Sequence, residues 1–284
     1  MDLKGTRQLL KNERLVPKKK LGQNFLIHKH TAQRIADLAE IDQNDVILEV
    51  GVGLGALTKP MARAAKLVIG IEADSGIVRM HQEQKDLPAN VRLLHQDILQ
   101  TDLEQLAGES GGRLKIVANL PYSISTPFLF RLFQHSIIIE SAVIMLQKEV
   151  ADRLLAQPGT KEYGVPTVLL SSCAAVKMLM LVKPEEFHPR PKVDSEVVRL
   201  TFFPVPGRIR NLDHVEPKKL QKVVNAAFSQ RRKTLINALH GGGISEDKQQ
   251  IAQAIESCGL SPSIRAERLS IEDFVQLTNT LDQL

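Results

Sequence analysis

Cysteine and large aromatic residues are scarce in this chain of 284 residues, which has two Cys, two Tyr and no Trp. With only Cys173 and Cys258, a disulfide framework is not expected, and the composition suits a reducing compartment. No apolar run reaches the ~20 residues that a membrane-spanning helix needs, and no apolar signal core is found at the N-terminus. We therefore expect a cytoplasmic protein without a membrane segment or a metal site. We also expect a monomer, because no exposed apolar stripe stands out.

Positive charge is concentrated in two segments, although the net charge of the whole chain is only +5. Residues 1–30 carry eight Lys or Arg against two acids, and residues 208–233 carry eight against two as well. Such segregation suits a phosphate backbone, since each neutralised phosphate releases counterions. The alternative is that both segments are solvated basic faces. The residues predicted to contact phosphate are Lys18, Lys19, Lys20, Arg231, Arg232 and Lys233.

Strand-like and helical patterns alternate in the first two thirds of the chain. Buried strands are predicted at 46–50, 67–71, 91–97, 115–119 and 141–147, and helices at 31–40, 55–65, 74–85 and 124–134. This alternation predicts βαβ units and a mostly parallel sheet that is covered on both faces. Two further β-rich runs, 167–182 and 193–203, are predicted to pair as a hairpin at the end of the same sheet.

A segment rich in proline and glycine, FFPVPGR at 202–208, precedes a purely helical pattern. Helices are predicted at 218–229, 233–240, 246–257 and 271–281. We therefore divide the chain into a basic N-terminal arm (1–30), an α/β domain (31–205) and a small helical C-terminal domain (206–284).

A glycine-rich turn, EVGVGLGALT, stands where the first strand passes into the first helix. Gly51 and Gly53 let the backbone turn sharply and approach a ligand closely. Glu72 ends the second strand about 20 residues later, where a carboxylate can bind both hydroxyls of a ribose. Asp97 ends the third strand, within reach of an adenine edge. Together these residues predict an adenosine site, and since NAD and S-adenosylmethionine both contain adenosine, the pattern leaves the choice open.

The sequence Asn-Leu-Pro-Tyr follows the fourth strand on the same edge. The exocyclic amine of adenine is a weak nucleophile because its lone pair is delocalised into the ring. The Asn119 side-chain oxygen and the Leu120 carbonyl can accept its two N–H groups and direct that lone pair, while Pro121 keeps the carbonyl aimed. Tyr122 offers a face for an extruded base. Phe187 is predicted to hold the other face of the base; for both rings the alternative is packing in the core.

With these residues the chain resembles the KsgA-type ribosomal RNA adenine dimethyltransferases. The shared motifs span nearly the whole chain: KKKLGQNFL, EVGVGLGALT, GIEAD, QDIL, NLPYSIS, FHPRPKVDS and FSQRRKTL. The resemblance implies a Rossmann-like α/β methyltransferase domain with a small C-terminal α-helical domain, and S-adenosylmethionine as methyl donor. It also implies that the target is two adjacent adenines near the 3′ end of 16S rRNA, each receiving two methyl groups on N6 within an immature 30S subunit.

The resemblance further implies which residues contact the cofactor: Asn24, Leu26, Gly51, Glu72, Asp97 and Asn119. Of these, Gly51 would line the methionine part, Glu72 the ribose and Asp97 the adenine, while Asn119 would lie beside both cofactor and target. Val52 stands where the family usually has proline, which leaves open how stiff the turn is.

Three other functions compete with this interpretation. An NAD-dependent oxidoreductase is favoured by Gly51, Gly53, Ala56 and Glu72, but leaves the Asn-Leu-Pro-Tyr motif and both basic segments unexplained. A resistance-type methyltransferase acting on 23S rRNA shares several of the motifs. A non-enzymatic ribosome assembly factor would need the fold but not the intact motif.

Overall fold

The structure is a computed structural model that describes residues 3–18 and 21–283. The described strands are, in chain order, β1 (Phe25–Leu26), β2 (Val46–Val50), β3 (Leu67–Glu72), β4 (Val91–His95), β5 (Leu114–Asn119), β6 (Ile139–Gln147), β7 (Ala175–Val182), β8 (Phe187–His188) and β9 (Ser195–Thr201).

The described helices are α1 (Leu3–Asn12), α2 (Lys29–Leu38), α3 (Thr58–Ala64), α4 (Ser75–Gln84), α5 (Leu103–Glu109), α6 (Ser125–Gln134), α7 (Lys148–Leu155), α8 (Val165–Ser171), α9 (Gly207–Arg210), α10 (Pro217–Phe228), α11 (Leu235–Gly241), α12 (Lys248–Ser257) and α13 (Ile271–Leu281). Several of these helices begin at a residue whose side chain accepts a hydrogen bond from a free backbone N–H of the first turn. Asp74 caps α4, Asp102 caps α5, and Ser270 caps α13.

Seven strands form one sheet in the order β4-β3-β2-β5-β6-β9-β7. The neighbours from β4 to β6 are parallel, whereas β9 is antiparallel to both β6 and β7. The predicted parallel sheet is therefore confirmed. Val50 is in register with Ile71 of β3 and Ala118 of β5, so the carboxyl ends of these three strands meet at one edge.

The prediction of a β-rich run from 167 to 182 is wrong in its first half. Residues Val165–Ser171 form helix α8, and only Ala175–Val182 is a strand. Pro166 occupies the first turn of α8, where its missing N–H costs nothing. A short, continuously apolar run cannot be assigned to a strand or a buried helix from its periodicity.

The sheet is covered on both faces. On one side Ile35 of α2 and Met61 of α3 belong to a buried cluster with sheet residues. On the other side a larger cluster runs from Leu48 in the sheet to Phe274 in α13, and α10 packs against α6 and α8. The C-terminal helices thus share a core with the sheet, and the division at 30/31 and 205/206 stays a prediction.

The N-terminal arm lies across the carboxyl edge of the sheet. Strand β1 pairs antiparallel with β8, placing Phe25 opposite His188. Leu10 of α1 packs with Phe25 and with Ile77 of α4 in a small separate cluster. The arm therefore forms part of the wall of whatever site this edge contains.

No helix within the described ranges, 3–18 and 21–283, is long and apolar enough to cross a membrane. Among these same residues, no group of three or more His, Cys, Asp or Glu side chains could hold a metal ion.

Candidate active site

A cavity of about 180 Å³ opens at the carboxyl ends of β2, β3 and β5. Its wall brings together every residue predicted to bind the cofactor and the four residues of the Asn-Leu-Pro-Tyr motif: Asn24, Leu26, Gly51, Gly53, Glu72, Asp97, Asn119, Leu120, Pro121 and Tyr122. Ligands of open α/β sheets bind at this edge, because loops from neighbouring strands diverge there. The one predicted site residue that lies in the described core instead is Phe187.

The glycine turn is held open by its backbone conformation and by one close packing contact. Gly51 and Gly53 have φ angles of +80° and +53°, which side chains rarely adopt. Val52, only 3% exposed, packs directly on Gly70 of β3, where an added Cβ would lie 2.5 Å from Val52 Cγ2. Packing against the sheet thus holds this valine in place at the position where the family usually has proline.

Glu72 joins the turn to the next strand. Its carboxylate accepts the Gly53 N–H at 2.9 Å and the Asp74 N–H at 2.8 Å. Burial raises the pKa of Glu72, and these backbone hydrogen bonds oppose the shift. Each carboxylate oxygen keeps a further lone pair, so the group can still accept hydrogen bonds from a vicinal diol such as ribose.

Asp97 follows β4 and is exposed at the mouth of the cavity. One carboxylate oxygen, Oδ1, accepts the Leu99 N–H at 2.9 Å, which fixes the side chain. No described residue donates to Oδ2. That oxygen is available for a donor such as an adenine amine.

Glu49 is a site residue that the sequence reasoning missed. It lies in β2, is 1% exposed, lines the cavity, and neither carboxylate oxygen has a hydrogen-bond partner among the described residues. Burial raises the pKa of Glu49 to about 8; the neighbouring Thr58 hydroxyl opposes this shift and Glu72 adds to it. An unpartnered buried carboxylate is costly unless a cation approaches it. With this raised pKa the free Glu49 side chain holds its proton at neutral pH, and a ligand cation such as the ammonium of S-adenosylmethionine would favour its ionised form.

The amide of Asn119 is oriented by the N-terminal arm. Its Nδ2 donates to the Asn24 carbonyl at 3.2 Å. Because a carbonyl can only accept, this contact identifies the nitrogen end of the amide. The oxygen end, Oδ1, has no described donor, and Asn119 lines the cavity.

The backbone turns away from the sheet immediately after Asn119. The Leu120 side chain is buried in the core, and no described residue donates a hydrogen bond to its carbonyl. Pro121, with φ −55° and ψ 133°, begins a 3-10 turn over Tyr122–Ile124. The Ile124 N–H donates to the Pro121 carbonyl at 3.1 Å, which closes that turn. The proline therefore determines where the motif leaves the strand direction.

Tyr122 is tethered by its hydroxyl. The hydroxyl lies 2.9 Å from the Ser195 hydroxyl, which is fully buried at the start of β9. Burial raises the pKa of Tyr122, although the Ser195 hydrogen bond opposes the shift, so the phenol stays neutral. Ser195 was not singled out from the sequence, because its role depends on a contact across 73 residues.

Phe187 does not reach the cavity. It is 3% exposed, pairs with Leu26 across β1 and β8, and packs in a cluster with Val182 and Val197. This placement contradicts the prediction that its ring stacks on a base. Successive side chains of a strand point to opposite faces, and in this strand Phe187 takes the buried one.

The residues predicted to contact phosphate differ in whether their charge is already paired within the protein. The Lys18 ammonium, 51% exposed, pairs with Asp74 at 2.7 Å, while Lys19 and Lys20 lie outside the described residues. Arg231 pairs with Glu267 and also donates to backbone carbonyls between α7 and α8. Arg232 and Lys233 are exposed, and their side chains form no hydrogen bond or ion pair with a described residue. Arg231 therefore serves the fold, and the other two are the available cations.

The Rossmann-like sheet, the glycine turn, the acids that follow β3 and β4 and the amide at the end of β5 fit an S-adenosylmethionine-dependent methyltransferase. A family model described as ribosomal RNA adenine dimethylase matches residues 15–283. The chain belongs to this family, and it is an rRNA adenine dimethyltransferase that uses S-adenosylmethionine. The NAD-dependent oxidoreductase is thereby rejected.

The chain is similar to curated proteins over nearly its whole length. It is 51% identical to a ribosomal RNA small subunit methyltransferase A of Desulfotalea psychrophila, covering 98% of this chain and 96% of the relative. It is 42% identical to the protein of that name from Geobacter metallireducens, covering 96% and 98%.

Two solved structures have the same fold. A dimethyladenosine transferase from Plasmodium falciparum is 25% identical with a TM-score of 0.70, covering 89% of this chain and 95% of that one. The 23S rRNA methyltransferase ErmE is 23% identical with a TM-score of 0.64, covering 92% and 100%. At this identity the likeness to ErmE concerns the fold alone.

Proposed function

We propose that this enzyme transfers methyl groups from S-adenosylmethionine to N6 of two adjacent adenosines near the 3′ end of 16S rRNA, two methyl groups to each, within an immature 30S subunit. Curated relatives up to 51% identical carry a small-subunit methyltransferase name, which supports this target over 23S rRNA. The observation that carries the chemistry is the orientation of the Asn119 amide, whose nitrogen is held by the Asn24 carbonyl.

The residues that hold the cofactor follow from the donor and acceptor groups of the cavity. Glu72 accepts hydrogen bonds from the ribose hydroxyls and Asp97 from the adenine amine. Glu49 compensates the ammonium of the methionine part, which removes the cost of its unpartnered carboxylate. When bound, S-adenosylmethionine supplies a methyl group attached to a positively charged sulfur.

Two acceptors prepare the adenine nitrogen. The Asn119 side-chain oxygen and the Leu120 carbonyl accept its two N–H groups, so the nitrogen lone pair is turned out of the ring plane. The nitrogen becomes cationic on methylation and is then acidic, so its extra proton leaves to solvent without a strong general base. Catalysis by these residues is mainly positioning.

The target base is held by the ring of Tyr122. Because the hydroxyl is tied to Ser195, the ring has a fixed plane on which an extruded adenine can stack. Since Phe187 is buried, the opposite face of the base needs another neighbour. For a second transfer, the once-methylated amine rotates to present its remaining N–H to one acceptor.

Arg232 and Lys233 are the described cations that we assign to rRNA phosphates, with Lys18 contributing from the arm. Both cysteines are free, which agrees with a reducing cytoplasm. We further propose that the enzyme acts there as a monomer.

The test is a methylation assay with 30S particles, naked 16S rRNA and 50S particles as substrates. We expect dimethyladenosine in the 30S rRNA, and Asn119→Ala should lower that rate by ~10²- to 10³-fold. RNA binding by this variant should be retained. Modification of 50S particles alone would overturn the proposed target, and full activity of the Asn119 variant would overturn the proposed chemistry.

A further inference from the structure

His81 contacts the backbone of the cofactor turn from behind the cavity. It lies on the buried face of α4 and is 3% exposed. Its Nε2 is 2.8 Å from the Gly53 carbonyl oxygen, and its Nδ1 is 2.6 Å from Oδ1 of Asp86. The Gly53 N–H is bound to Glu72 at 2.9 Å. The peptide groups on both sides of Gly53 are therefore held, one by a carboxylate and one by an imidazole.

Both atoms that face the imidazole are acceptors. A carbonyl oxygen cannot donate, and the Asp86 carboxyl is ionised because its pKa is lowered: partial burial raises it, but the hydrogen bonds from His81 and Lys59 outweigh that effect. A neutral imidazole has one N–H and can satisfy only one of the two contacts. An imidazolium satisfies both.

The charged neighbours of this ring are few. Lys59 of α3 reaches Asp86 at 2.7 Å, on the far side of the carboxylate from the ring. Lys85 adopts a left-handed conformation, φ 48°, which turns the chain after α4 and returns Asp86 to the ring. In the glycine turn, the Gly53 carbonyl oxygen lies 2.8 Å from Nε2, and a Cβ added at Gly55 would lie 3.6 Å from His81 Cε1.

We propose that His81, held as an imidazolium by Asp86, is a positioning residue that fixes the Gly53 carbonyl and so keeps the cofactor turn in its binding conformation. Gly53 needs this support because its φ of +53° is one of several conformations open to glycine. The proposal rests on the cofactor site assigned above. Cofactor affinity should depend on the ring's proton, and loss of that proton should weaken binding.

The experiment measures the Kd of S-adenosylmethionine by calorimetry from pH 6 to pH 9 for the wild-type protein and for His81→Phe. Glu49 and Glu72 border the same cavity and affect the pH dependence of both proteins. The quantity to compare is therefore the Kd of His81→Phe divided by the Kd of the wild type at each pH. Loss of one charge-assisted hydrogen bond predicts a ratio of about ten at pH 6. The ratio should be larger at pH 6 than at pH 9, because a neutral ring has only one N–H for its two acceptors. Asp86 keeps its Lys59 partner in this variant.

Asp86→Asn should increase cofactor affinity at high pH, an effect that a packing role of His81 alone would not produce. An asparagine amide can donate to Nδ1, which leaves a neutral ring free to donate from Nε2 to Gly53. This variant should therefore bind the cofactor more tightly than wild type at pH 9. His135→Gln, at the end of α6 and outside the cavity, is the matched control and should follow the wild-type profile.

Nitrogen NMR of the wild-type protein supplies a readout that needs no variant to fold. At pH 6 the His81 ring should show both nitrogens protonated, as its two acceptors require. A neutral ring, or a His81→Phe ratio that stays near one at pH 6, would overturn the proposal while leaving the cofactor site intact. Failure of wild type to bind S-adenosylmethionine at any pH would overturn the cofactor site and this inference together.

Discussion

Replacing Gly70 by alanine tests how the glycine turn is held. The new Cβ would lie 2.5 Å from Val52 Cγ2, a distance shorter than any normal carbon contact. Val52 is buried between Gly51 and Gly53, and Gly70 lies within β3 with neighbours on both sides. The side that can move is therefore the turn, and it must shift by about 1 Å to reach ordinary contact distance.

Such overpacking costs ~1–3 kcal/mol, and the shift moves the backbone that we assign to the methionine part of the cofactor. We expect Gly70→Ala to lower the free energy of unfolding by that amount and to weaken S-adenosylmethionine binding by about tenfold or more. Val52→Ala alone loses buried methyl groups and should cost ~1–2 kcal/mol. Because it removes the clashing methyl, the double variant should lose at least ~1 kcal/mol less than the sum of the two.

Urea denaturation followed by circular dichroism, together with calorimetric Kd values, measures both quantities. Gly108→Ala is the control, because nothing lies within 4 Å of the added methyl and the residue is in helix α5. That change should be neutral or stabilise by ~0.5–1 kcal/mol. If Gly70→Ala unfolds and binds like wild type, or if the two changes are additive, the account of the turn is incorrect.

Further predictions concern the tether of Tyr122, the carboxyl of Glu49 and the charges of Arg232 and Lys233. Tyr122→Phe and Ser195→Ala each break the same hydrogen bond, so each should slow methylation a few-fold. The double variant should be no slower than either single variant. Additive losses, measured by single-turnover kinetics, would contradict the tether. Glu49→Gln should weaken cofactor binding. When wild type binds the cofactor near pH 7, the ammonium should lower the raised pKa of the Glu49 carboxyl and a proton should be released. Calorimetry in two buffers should show that the Gln variant releases no such proton. Without cofactor, wild-type stability should fall as pH rises from about 4.5 towards 8, because the folded form binds the proton more tightly than the unfolded form, and the Gln variant should lack this fall. Charge reversal of Arg232 and Lys233 should lower the salt dependence of 30S binding by ~1.4–1.8 in log–log slope; an unchanged slope would mean that both are only solvated.

The order of the strands along the chain was enough to predict where the site residues meet. Parallel strands joined by helices all end at the same edge, so residues that close successive strands must converge there. This is why Gly51, Glu72, Asp97 and Asn119 could be assembled from their positions alone. The same local signals predicted the helices after residue 217, where periodicity is strong and caps are clear.

Contacts between distant segments could not be predicted in this way. Phe187 is buried because the arm supplies β1 as its pairing partner, and nothing in the local pattern of FHPRPKVDS specifies that partner. Residues 167–171 belong to the helix Val165–Ser171 although the pattern predicts a strand there, because both structures bury a continuous apolar run.

Chain order and strand direction can be read from the sequence, and they decide which functional groups stand at the edge of the sheet. The state of those groups depends on tertiary contacts: the orientation of the Asn119 amide, the unpartnered carboxyl of Glu49 and the two contacts of His81. Each depends on which donors and acceptors lie within about 3 Å, and those neighbours come from residues far apart in the chain.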